Sequence, residues 1–181
     1  MYIAKQLKEK NVAEYLLYMW QVEDLIRANH LDIEELKVNY ISRFNPSPEQ
    51  EKEMVEWYAN LIEMMRSEQV QEKGHLQINK NIIILLTDLH LQLLNSPKFP
   101  FYSAAYYKAL PYIVEIRARN NNRDLPELES CFEILYGVML LKMQKKAVSA
   151  DTQKAVADIS KLLGMLSDYY IQDKQGNLKF D

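Results

Sequence analysis

Residues 77–99 read QINKNIIILLTDLHLQLLNSPKF, and the way this stretch folds decides the fold of the chain. Taken alone, IIILL at 82–86 has the length and composition of a buried strand. The apolar pattern continues to Leu94 without a turn signal, and a run of that length favours a helix. A helix at about 79–95 is apolar on nearly every side, so it is expected to be buried at the centre of a bundle.

The flanking sequence is punctuated as helices are. Asn45-Pro-Ser-Pro48 places Ser47 as an N-cap, Pro48 at the first helical position and Gln50 three residues past the cap. From there a helix is expected to about Lys73, with Gly74 as its stop. Upstream, Val12, Leu16, Met19 and Ile26 recur at helical spacing over about 11–30, and Asp32 with Glu35 marks another start. Downstream, SPKFP at 96–100 precedes a Tyr-rich helix that contains Pro111, where a kink is expected. Asn120–Asp124 reads as a turn, Asp124 with Glu127 as a cap, and Ser149 as the cap of a last helix to about Tyr170. The chain therefore predicts an all-α fold: a single-domain antiparallel bundle of six to eight helices over 1–172, with 173–181 as a tail.

Composition agrees and excludes alternatives. Of 181 residues only 4 are Gly and 6 Pro, too few for the turns of an all-β sandwich or barrel. At 48% hydrophobic and 26% charged, the chain is neither disordered nor collagen-like. A net charge of −3, from 22 basic and 25 acidic residues, argues against nucleic acid, whose binders carry a basic excess. The basic groups Arg117, Arg119 and Arg123, and Lys142, Lys145 and Lys146, fall at the C-terminal ends of two helices, where they complement the helix dipole. The single Cys131 permits no internal disulfide, and the lysines near the N-terminus leave no signal-peptide core, so a cytoplasmic protein is expected. No apolar run is long enough to span a membrane.

Motifs for phosphate loops, paired cysteines, zinc proteases and EF-hands are absent. The lone Glu-x-x-His, EKGH at 72–75, lacks the second copy that a di-iron bundle needs, so neither metal nor cofactor is expected. Two polar residues stand out because they fall in the apolar stripe of the first long helix: Glu23 and His30. His90 sits similarly among Ile83, Leu86, Leu93 and Leu94. A carboxylate on a core face must be paired, and Arg27 lies one turn from Glu23. If the two helices face each other, Glu23 and His90 form an acid–base dyad; the plainer reading is a satisfied core hydrogen bond. Trp20, Trp57, Tyr106 and Tyr107 are candidate pocket or interface aromatics.

The opening MYIAKQLKEKNVAEYLLYMWQVEDLIRA, followed by NPSPEQ before a long helix, resembles an uncharacterised all-helical bacterial family of this length, a domain of unknown function seen in Bacteroidetes-type genomes. The resemblance implies a cytosolic bacterial protein and carries over no activity or site residues. Two functions follow from the residues. The first is a non-enzymatic interaction or regulatory module with a protein partner, including a homodimer built on an exposed helix face. The alternative is a small-molecule-binding protein or enzyme with a polar centre of Glu23, His30 and His90.

Overall fold

The structure, a computed structural model, describes residues 2–119 and 126–180. Its α-helices are α1 (Tyr2–Lys10), α2 (Val12–Ala28), α3 (Ile33–Asn39), α4 (Pro48–Ser67), α5 (Gln77–Asn95), α6 (Pro100–Arg119), α7 (Glu127–Met143) and α8 (Ala150–Lys174). A single 3-10 turn spans Ile41–Phe44, and no strand occurs among the described residues. The chain is all-α, as its periodicity predicts. The turn expected at 120–124, the Asp124 cap and Arg123 lie outside the described residues.

Two compact units can be distinguished, Met1–Lys8 with Glu14–Ile82, and Glu9–Ala13 with Ile83–Asp181. In the first, α3 and the 3-10 turn pack on α4. Trp20, Leu36, Ile41, Tyr58 and Met65 are buried there. In the second, α6 packs on α8 and α7, and α7 on α8, with Tyr102, Phe132, Ile159 and Leu166 buried.

The helix starts follow local chemistry. Ser47 and Gln50 form the reciprocal capping box, at 3.0 and 3.3 Å, with Pro48 at the first helical position. Asp32 Oδ1 accepts from the Glu34 and Glu35 amides, and Ser149 Oγ accepts from Thr152 N. The helix expected over about 11–30 is α2, and Asn11 separates it from α1, its Oδ1 accepting from Ala13 N at 3.1 Å while Ser167 Oγ accepts from Val12 N at 2.8 Å. α7 begins at Glu127 with Pro126 in the cap position, and α8 runs through Gly164 to Lys174.

The end of α4 departs from expectation. α4 stops at Ser67, well short of Gly74, because Gln69 takes a left-handed conformation (φ 58°) and Val70 N bonds back to Met65 O. The same six-to-one closure ends α2 at His30 (φ 54°) and α7 at Lys145 (φ 55°).

α5 spans the expected residues but is not buried all round. Asn79, Ile82, Ile83, Leu86, Leu89, His90 and Leu93 are buried, whereas Ile84, Leu85 and Leu91 are half exposed. Apolar composition on every side therefore hides a helix with one face packed and one in solvent. α6 runs unbroken through Pro111, with Tyr102 buried, Tyr106 and Tyr112 intermediate and Tyr107 exposed.

Candidate functional site

Glu23, on α2 in the first unit, has no exposed surface. A carboxylate so placed must have its oxygens satisfied by protein donors. Oε1 accepts from Leu76 N at 3.0 Å and from Asn79 Nδ2 at 2.7 Å, and Oε2 meets His75 Nδ1 at 2.6 Å. The His75 ring also stacks on Trp20, with centroids 3.9 Å apart and planes 10° from parallel. Trp20 is thus a buried platform, not a surface aromatic.

Arg27, one turn along α2, does not neutralise Glu23. Its guanidinium donates to Asp24 at 2.9 Å and to the carbonyls of Val70 at 3.0 Å and Gly74 at 2.5 Å. Glu68 Oε2 accepts from Gln77 N at 2.6 Å, closing the base of the loop. Together Glu23, Arg27 and Glu68 tie down the irregular segment between α4 and α5 through its backbone. Backbone groups that leave a helix need such partners, and the loop is built around them.

His75 is the residue that sequence reasoning missed at this site. It was visible only within EKGH, as a defective metal pair. Its side chain is 23% exposed and Nδ1 is held by Glu23, which leaves Nε2 as the ring nitrogen available for chemistry. A carboxylate that fixes one imidazole nitrogen orients the other as a proton acceptor or donor.

His30 does not join this centre. α2 ends at Ala28, so His30 leaves the apolar stripe in its left-handed conformation, and its exposed ring meets Glu35 at 2.9 Å. That carboxylate raises the imidazole above its ordinary range, first through the hydrogen bond.

His90 belongs to the second unit, while Glu23 belongs to the first. Its Nδ1 shares a 2.6 Å hydrogen bond with the Tyr102 hydroxyl, and Nε2 stands 3.9 Å from Glu127 Oε1. Tyr106 presents its ring at 5.0 Å, and Arg117 Nη1 lies 4.0 Å from Glu127 Oε2. Burial pushes His90 down to about 4, so at neutral pH it is an uncharged imidazole. Burial also pushes the nearby Cys131 thiol up to about 12, which removes it as a nucleophile. Inside its own unit Glu23 is partnered by His75, and His90 by Tyr102.

Trp57 packs edge-on against Tyr58 at 4.8 Å and is partly exposed. An open hollow of about 240 Å³ lies on the first unit, lined by Leu31, Ile33, Ile62, Glu63 and Arg66 among others; it touches neither Glu23 nor His75. No group of three or more metal-ligating side chains gathers among the described residues, and no described helix is long and apolar enough to cross a membrane.

No curated protein and no solved structure matches the chain. A family model does, over residues 1–177, and the chain belongs to that family, the domain of unknown function DUF4924.

Proposed function

We propose that this protein is a non-enzymatic helical interaction or regulatory module of the cytoplasm, acting through apolar side chains that its helices leave in solvent. One observation carries this reading. Phe101 is 80% exposed, Tyr107 66% and Val114 58%, all on α6, and such side chains gain 1.5–3 kcal/mol or so each when a partner covers them. Exposed apolar residues gathered on one element mark partner surfaces more often than scattered ones do. Hydroxyl-radical footprinting of the full chain tests this, with exposed Met143 as internal reference. Oxidation of Phe101 and Tyr107 is expected to fall as concentration rises or as cognate lysate is added. Unchanged oxidation under both conditions contradicts the reading.

A second reading, a small-molecule site, is favoured by the Glu23–His75 pair stacked on Trp20. In that reading His75 Nε2 is the working group, Glu23 sets its orientation, and Arg27 holds the loop that carries it. A screen of small metabolite classes, followed by the His75 imidazole resonances in NMR, tests it. Saturable shifts of those resonances support it, and the absence of any shift across the screen removes it.

A further inference from the structure

The outer face of α6 has a seven-residue order. Ala104, Pro111 and Ala118 recur at one position of the heptad, and Tyr107 and Val114 at another. All five are exposed. Together they make an apolar seam of the kind along which two helices pack, alternating small residues with large ones. Lys108 and Glu115, also seven apart and exposed, lie together along one flank of that seam. Beneath the flank Lys108 is held at 2.6 Å by Asp158 of α8, which fixes where its ammonium lies.

We propose that a second copy of this chain covers this face, with the two α6 helices antiparallel about a two-fold axis near residues 112–113. This specifies the self-association form of the interaction reading and rests on it. Two features select a second copy. The axis sets Tyr107 of one copy against Ala118 of the other, large against small, and Pro111 against Val114, two side chains of similar size. It also brings Lys108 of each copy opposite Glu115 of the other, and flank positions in antiparallel helix pairs meet their own kind across the seam. A two-fold interface requires this self-complementarity, because each contact must occur twice. The exposed face of α5 lacks it: a two-fold through Ile84, Leu85 and Leu91 would set Asp88 against its own copy, and like charges there repel.

Sedimentation equilibrium of the full chain and of Val114→Lys tests the face. Burying Val114 corresponds to roughly a 10- to 100-fold change in dimer dissociation constant, and the lysine variant is expected to dissociate at least that much more readily. Val114 is 58% exposed, so the variant should keep its helical circular dichroism. Cysteine pairing tests the direction. Tyr107→Cys combined with Ala118→Cys is expected to give an oxidised covalent dimer. Either variant alone should not, because the axis sets its two copies about 16 Å apart at 1.5 Å of rise per residue. Dimers of Val114→Lys as tight as the parent overturn the α6 face and leave the interaction module standing. Cross-linking in a single-cysteine variant overturns the antiparallel arrangement. A parent chain that stays monomeric at every concentration overturns the proposal, while footprinting that still shows partner-dependent protection would keep the broader reading.

Discussion

A carboxylate with no exposed surface holds the loop between α4 and α5. Replacing Glu23 by Gln keeps its volume but removes one acceptor oxygen from a position where three donors converge. A buried donor without an acceptor costs about 1–3 kcal/mol, and Glu23→Gln is expected to lower stability by about 3 kcal/mol in urea unfolding. An unchanged midpoint would show that Arg27 and Glu68 hold the loop without Glu23. His90 supplies a pH dependence. Its imidazole titrates near 4 when folded and near 6.5 when free, so the unfolded chain binds a proton first as pH falls. Stability contributed by the neutral ring is complete above about pH 6.5 and is lost progressively down to about pH 4, some 3 kcal/mol in all. Glu127, Tyr102 and Tyr106 face the same ring, so the comparison is with His90→Phe, whose unfolding should lack that part of the pH slope. At this scale the sequence showed which residues were anomalous, since Glu23 breaks an apolar stripe. It did not show the partner. His75 lies beyond a helix end, in a loop whose path depends on contacts from α2 that are about 50 residues away in sequence.

At the scale of the element, the capped starts were legible, and the stop of α4 was not. Ser47, Asp32 and Ser149 cap through their own side chains within three residues, so the signal is local. The ends at His30, Gln69 and Lys145 use a left-handed residue that is not glycine, which leaves no mark in composition. Gly74 has φ 87° and does bend the chain, but in the loop rather than at the end of α4. Gln69→Gly relieves the side-chain penalty of that conformation and is expected to stabilise the protein by about 1 kcal/mol, read as a higher thermal midpoint. A lower midpoint would mean that the Gln69 side chain contributes more than the strain it brings. α5 shows the other limit of pattern reading. Ile84, Leu85 and Leu91 are as apolar as Ile83, Leu86 and Leu93, so composition alone does not separate its packed face from its exposed one.

For the whole molecule, scarce Gly and Pro and a near-balanced charge were enough to reach an all-α chain and to weigh against nucleic acid. They carried no information about which apolar face was left over. That appears only once the helices are packed, and in α6 the remaining face has heptad order with opposite charges along one flank. A second copy covering that face would make the chain self-associate. The most direct test is the solution mass of the full chain by light scattering across a dilution series from about millimolar to nanomolar, the range over which protein affinities are ordinarily weak to tight. The expected result is a concentration-dependent rise from the 21.4 kDa of one chain to twice that value. A mass of one chain at every concentration would contradict it.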